Sequence, residues 1–309
     1  MMSRFKFPSC LTGVAAVLAM LLPGTVAHAG ENLAGWQVPE PLQVSDPVFS
    51  EPHDVALSPD GLYLFVADKG HDAVEILVPG SLASLGPLGP GTFNAPHDVA
   101  FGANGRVYIA DTGNGRIAVW QFDGVTKYAG VIAEFVEDWS KGIDKPEGIA
   151  LGATGQAYVA DTGANALLVM EGGTVIARIT EADGLDLDRP HDVAVDTSGA
   201  IYLTDPGNNR VLVFNSDLTL RRVLDEDTYG FDEPKYLGLD EDGMVFVADQ
   251  DNDRIRMLAS GDFAPIGDIT GPLKGESLDG PEGIAVDGRY IWISDTGNDR
   301  VVLLRRQRK

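Results

Sequence analysis

The sequence predicts an all-β fold: a six-bladed β-propeller of four-stranded antiparallel blades, its ring closed by an N-terminal outer strand. Three observations predict it. First, one template opens six times: Pro52-His53-Asp54-Val55-Ala56, Pro96-His97-Asp98-Val99-Ala100, Pro146-Glu147-Gly148-Ile149-Ala150, Pro190-His191-Asp192-Val193-Ala194, Pro234-Lys235-Tyr236-Leu237-Gly238 and Pro281-Glu282-Gly283-Ile284-Ala285. Second, the prolines at 52, 96, 146, 190, 234 and 281 lie 44 to 50 residues apart, the period of a blade-sized unit. Third, no stretch holds an apolar period of 3.6 over ten residues, which removes helical repeats.

The elements follow in order within one unit. Val99-Ala100-Phe101 is a short apolar strand, and Ala103-Asn104-Gly105 a turn. Arg106 to Ala110 alternates and is rich in β-branched and aromatic residues, so it reads as the second strand. Asp111-Thr112-Gly113-Asn114-Gly115 turns the chain, with Asn-Gly expected to supply the two positive φ values of a tight hairpin. Ile117 to Trp120 is the third strand, and Tyr128 to Ala133 supplies a fourth. Such a unit is apolar on both faces and must pack against a neighbour on each side, which closing the ring achieves. The last unit's third strand, Val301 to Leu304, has no outer strand after it, so the spare segment Gly35 to Val44, with Trp36 and Val38, is expected to pair there. Pro79 to Ala95 and Phe122 to Lys145 read as long, loose connections.

The hairpin after strand two also recurs. Asp68, Asp111, Asp161, Asp205, Asp249 and Asp295 close that strand, and Arg116, Arg210, Arg254 and Arg300 open the next one in four units. A carboxylate there can accept turn N–H groups or pair with the following Arg, so these residues read as fold-building. Asp249-Gln250-Asp251-Asn252-Asp253 resembles the opening of a Ca²⁺ loop. It has Arg254 where such a loop needs Gly and Ser260 where it needs Glu, so the hairpin reading is preferred.

Residues 1–29 read as a secretory signal: Arg4 and Lys6, an apolar run from Leu11 to Leu22, then Ala27-His28-Ala29 with small residues where a signal peptidase cuts. The propeller then occupies 30–309, in the periplasm or secreted to the extracellular space, with no membrane span expected. The only cysteine, Cys10, leaves with the signal, which removes disulfides, thiol catalysis and Cys metal ligation. The net charge of −23 becomes more negative by two when Arg4 and Lys6 are lost. That field repels nucleic acid and anionic lipid and favours cations, although acidic loops also serve plain solubility. Arg305, Arg306, Arg308 and Lys309 read as a solvated basic end.

The template, followed by a turn, a strand ending Ala-Asp-Thr-Gly-Asn and an Arg opening the next strand, resembles the NHL repeat across the whole mature chain. The resemblance implies a six-bladed propeller whose first template strand lines the central channel. It leaves function open, since members of that family scaffold, bind RNA or catalyse. Peptidyl-α-hydroxyglycine α-amidating lyases resemble the chain in placing zinc-binding His residues just after the template proline. The position holds His53, His97, Glu147, His191, Lys235 and Glu282 here. Where those lyases use alternate blades, this chain has His on blades one, two and four. At the places of the lyases' catalytic Tyr and Arg it has Lys69, Thr112, Thr162, Pro206, Gln250 and Thr296.

In a closed ring these six positions share one height around the axis. Imidazole and carboxylate converging there suit Zn²⁺ or another divalent transition metal, with His53, His97, His191 and Glu147 as candidate ligands. Asp54, Asp98 and Asp192 follow the three His and would orient the imidazoles or bind Ca²⁺. The same residues could equally form an ordinary hydrogen-bonded network. Two function classes therefore stand: a binding or scaffold module for a protein, peptide or small-molecule ligand at the channel face, or a metal-dependent lyase- or hydrolase-like enzyme using the ring histidines. No nucleophile–base pair is readable otherwise. RNA recognition fits neither the charge nor the absence of a basic stripe with interleaved aromatics.

Overall fold

The computed structural model describes residues 39–46 and 48–306. The expected signal segment 1–29 with Cys10, the residues Trp36 and Val38, and Arg308 and Lys309 lie outside them. Six four-stranded antiparallel sheets follow one another along the chain. Their innermost strands are Pro52–Leu57, Pro96–Phe101, Pro146–Leu151, Val193–Val195, Pro234–Leu239 and Pro281–Asp287. The second strands, such as Leu64–Asp68, Ala157–Asp161, Ile201–Asp205 and Val245–Asp249, are buried at every residue. A strand covered on both faces needs a continuous apolar run, and LFVAD, AYVAD and VFVAD supply one.

The core is divided among the seams between blades. One cluster joins Phe65, Val74 and Ile76 of the first blade to Val99, Val107 and Ile109 of the second. Equivalent clusters fill the next four seams. A sixth joins Trp292, Val301 and Leu303 of the last blade to Val55, Leu64 and Val66 of the first, so the ring is closed. The N-terminal strand Glu40–Val44 pairs with Arg300–Arg305 as the outer strand of the sixth blade, as the spare segment led us to expect.

Each hairpin is a latch built on its Asp. Asp111 Oδ2 accepts from Arg116 Nε at 2.7 Å and from Asn114 Nδ2 at 2.9 Å, while Oδ1 accepts from the Asn94 N–H at 2.8 Å. Asp205, Asp249 and Asp295 repeat the set with Arg210, Arg254 and Arg300. The turn itself differs from the expected two-residue form. Thr112–Asn114 is a 3₁₀ turn, and only the following Gly115 has positive φ, at 62°. In the other five hairpins that left-handed residue is Asp72, Asn165, Asn209, Asp253 or Asp299. Each of these accepts, with its side chain, the N–H of the residue before the next blade's template proline.

Three further readings are corrected. Phe122 to Lys145 is largely strand: Arg116–Thr126 and Gly130–Trp139 form a long outer hairpin. Pro79 to Ala95 holds the outer strand Ser84–Leu88. The basic end is not simply solvated. Arg305 lies within the strand paired to Glu40–Val44, and Arg306 is buried, 2.8 Å from Asp240 and over the Phe246 ring.

Candidate functional site

The channel residues owe their direction to a repeated irregularity. In five inner strands the ladder slips just after the template proline, between Pro52/Val55, Pro96/Asp98, Pro146/Gly148, Pro234/Tyr236 and Pro281/Ile284. A bulge re-aims the side chain it carries, and the residue there is His53, His97, Glu147, Lys235 or Glu282. In the fourth blade the Thr204 hydroxyl accepts the Asp192 N–H at 2.8 Å, and the strand begins only at Val193. His191 still reaches the same place.

The ring position comes together as expected. The imidazole centroids of His53 and His97 are 4.5 Å apart, edge to face, and His191 lies 6.4 and 6.2 Å from them. His97 Nδ1 donates to the Ala95 carbonyl at 2.8 Å, which fixes its tautomer. His191 Nε2 lies 3.3 Å from Glu147 Oε2, and His53 Nδ1 approaches Glu282 Oε2 to 3.0 Å without hydrogen-bond alignment. Burial drives all three imidazoles toward the neutral form: His53 well below its ordinary value, His97 to about 4 and His191 to about 3. Burial works to raise Glu147, but the neighbouring imidazoles and Lys145, 2.9 Å away, outweigh it and hold the carboxyl at about 2. At neutral pH the Glu147–His191 contact is thus a carboxylate facing a neutral ring. Glu282 is pushed up to about 7 by burial. Lys235 stands 3.8 Å from it.

Asp54, Asp98 and Asp192 prove to be stitches between blades. Asp54 accepts from the Val99 N–H at 3.2 Å, Asp98 from Ile149 at 2.5 Å and Asp192 from Leu237 at 2.8 Å, each in the next blade. Burial raises the pKa of all three, and for Asp98 the neighbouring Asp54 carboxyl adds to the shift. Their place in the template is taken elsewhere by Gly148 and Gly283. A Cβ at Gly148 would sit 2.6 Å from the His191 carbonyl, and one at Gly283 2.5 Å from that of His53. The fifth copy is Tyr236, whose hydroxyl crosses the axis to donate to the His97 carbonyl at 2.9 Å. Sequence reasoning missed this plug because a tyrosine at an Asp/Gly position reads as a degenerate template.

Around the imidazoles lies a cup of about 350 Å³. Its wall includes Lys69, Thr112, Thr162 and Pro206 from the hairpins, and Lys145, Arg189 and Glu233 from the position before the template proline. That second ring also went unread, although the period that found the first ring would locate it two residues earlier. The hairpin threonines are stitches too. Thr112, Thr162 and Thr296 donate to the carbonyls of Pro146, Pro190 and Pro52 at 2.6 to 2.7 Å. Gln250 donates to Glu282 at 2.9 Å.

The fit of a transition metal can be read from the donors. His97 keeps an unshared ring nitrogen, but His191 turns Nε2 to Glu147 and His53 turns Nδ1 to Glu282. Among the described residues no group of three or more His, Cys, Asp or Glu is set to hold a metal ion. The ring as placed does not fit the lyase-type zinc.

The NHL repeat family matches residues 93–120 and 187–214. No curated protein matches the chain by sequence. Among solved structures, a catalytically inactive virginiamycin B lyase from Staphylococcus aureus with quinupristin superposes with a TM-score of 0.57 at 14% identity, covering 85% of this chain and 98% of that one. An auxiliary nutrient binding protein from Bacteroides thetaiotaomicron gives 0.64 at 12% identity, over 84% of this chain and 69% of its own. PQQ-bound aldose sugar dehydrogenase from Streptomyces coelicolor gives 0.62 at 16%, over 90% and 100%. At these identities the likeness is one of fold. The chain is a six-bladed β-propeller that carries NHL repeats.

Proposed function

We propose that the protein is an exported binding module, periplasmic or extracellular, that takes a small polar ligand in the channel cup. The observation that carries this reading is the cup itself. Three neutral imidazoles and the ionised Glu147 line a cavity of about 350 Å³, at the small end of ligand-binding sizes. Tyr236 bridges the channel between opposite blades, which suits a one-ended site better than a through-passage. The fold likeness to a nutrient binding protein agrees with it. Thermal unfolding against a library of charged small metabolites tests the reading. At least one compound should stabilise the wild type and fail to stabilise His97→Ala or Glu147→Gln. A library with no stabilising compound, or one that stabilises both variants equally, would refute it.

A metal-dependent lyase or hydrolase is the second reading, supported by the closeness of the three rings. Elemental analysis after purification without chelators separates the two. Stoichiometric zinc that disappears in His97→Ala would favour the enzyme, and zinc-free protein the binding module.

A further inference from the structure

Most of the charge around the cup is balanced within its own wall. Lys69 donates to Glu51 at 2.8 Å, Lys145 lies 2.9 Å from Glu147, and Arg189 holds Glu233 through both Nη groups. Glu147 is covered further by the Thr162 hydroxyl at 2.8 Å and by His191 Nε2 at 3.3 Å. None of these groups needs a ligand.

Lys235 and His97 differ. Lys235 Nζ lies 3.8 Å from Glu282 Oε1, beyond hydrogen-bond reach, and that oxygen accepts from Gln250 at 2.9 Å instead. The Lys235 side chain lines the cup and is 21% exposed. Among the described residues it is the one cation of the cup without a hydrogen-bonded partner. His97 gives its Nδ1 proton to the Ala95 carbonyl, so Nε2 carries a lone pair, and burial keeps the ring neutral. That nitrogen has no hydrogen-bond partner and is not sealed from solvent, so it opens into the cup that His97 lines.

These two groups stand on opposite walls. Lys235 belongs to the fifth blade and His97 to the second, and Tyr236, next to Lys235 in the chain, donates across the axis to the His97 carbonyl. A ligand lying over that bridge meets an ammonium donor at one end and an imidazole acceptor at the other.

We propose that the ligand is a small hydroxycarboxylate, a monoanion whose carboxylate pairs with Lys235 and whose hydroxyl donates to His97 Nε2. This names the ligand class of the binding reading above and rests on it. One open ammonium matches one carboxylate, whereas a phosphate dianion would need a second open cation. The donor at the His97 end is a neutral O–H rather than an ammonium, because the Glu147 carboxylate is already covered and the open charge of the cup is positive.

Calorimetric titration of the full mature chain with glycolate, both lactates, D-glycerate and D-gluconate tests the class. It is repeated with the amide and the deoxy acid of whichever binds, as lactamide and propionate stand to lactate. We expect at least one hydroxycarboxylate to bind. The amide should bind at least about tenfold more weakly, the effect of losing one charge-assisted hydrogen bond, and the deoxy acid about three- to tenfold more weakly. Lys235→Met should abolish the difference between acid and amide, and His97→Phe the difference between hydroxy and deoxy acid. Lys127→Met, which removes an exposed lysine from the outer hairpin of the second blade, should change neither. The ligand comparisons are made on the wild type, so a poorly folding variant does not remove the test. An amide that binds as well as the acid, or a deoxy acid that binds as well as the hydroxy acid, would overturn the proposal. If another charged metabolite stabilises the protein while no hydroxycarboxylate binds, the class is wrong and the cup remains a binding site. If nothing binds, both readings fall.

Discussion

At neutral pH the three ring histidines are acceptors rather than charges, because removing an imidazolium from water costs more than the nearby carboxylates return. His71 is the internal control. It is exposed, pairs with Asp68 at 2.9 Å, and is shifted upward by that bond. Imidazole resonances followed by NMR should therefore show His53, His97 and His191 neutral from pH 5.5 to 8 and His71 titrating above its ordinary value. Ring histidines that titrate near 6.5 would mean that the cup is open to water. The Tyr236 hydroxyl is the other decisive single group. Tyr236→Phe leaves the buried His97 carbonyl unpaired and should cost about 1–3 kcal/mol in denaturant unfolding; no measurable loss would mean that the bridge across the axis does not form. The ring positions could be read from the sequence because a strict period puts equivalent residues at equivalent places. Tyr236, Lys145 and Arg189 could not, because they vary in chemistry from copy to copy and only closure of the ring shows what they face.

The hairpin latch explains why Asp recurs at the end of strand two when the rest of that strand is apolar. At Asp111, Asp205, Asp249 and Asp295 the carboxylate replaces its lost water with a guanidinium, an amide and a backbone N–H, so removing it orphans three donors at once. Asp111→Ala should destabilise by roughly 2–4 kcal/mol, and Arg116→Met by less, since the remaining two donors still reach Asp111. Equal losses in chemical denaturation would show that the ion pair, not the turn, carries the latch. The sequence made the Asp and Arg legible as partners, but not the turn geometry. An Asn-Gly pair is compatible with either a two-residue hairpin or a 3₁₀ turn ending in one left-handed residue, and the Asp or Asn at that final place in other copies was the available clue. The fourth strand expected at Tyr128 to Ala133 runs on to Trp139; its continuation looked like a connection because an outer strand faces water on one side, and its polar residues resemble a loop.

For the whole molecule, the buried acids set the response to pH. Asp54, Asp98, Asp192 and Glu282 have folded pKa values raised by burial, so the folded state holds their protons longer than the unfolded chain does. Stability from these groups is lost as pH rises from the ordinary carboxylate range through about 7 and beyond. The three lowered histidines act oppositely, but only below about 6.5, where the unfolded chain begins to charge them. Glu147, held low, matters only below the ordinary Glu value. Above pH 6.5 the buried acids and the upward-shifted His71 act in the same direction, and Tm should fall by roughly 5–10 °C between pH 6.5 and 9. Asp192→Asn should flatten that slope, and a Tm that holds or rises would contradict the buried carboxyls. The ring itself was legible as a whole, including the strand that closes it. The terminal Arg306 was not, since a basic run at the end of a chain looks the same whether it is solvated or, as here, paired with Asp240 at the seam between the fifth and sixth blades.

Six blades gather their post-proline residues around one cup, and the cup holds a ligand only if those residues face it together. A crystal structure of the protein soaked with a compound that raises its thermal stability tests this most directly. It should show the compound in the cup beside His97, His191 and Glu147. A saturating soak that leaves the cup filled only by water, or imidazoles turned away from the axis, would contradict it.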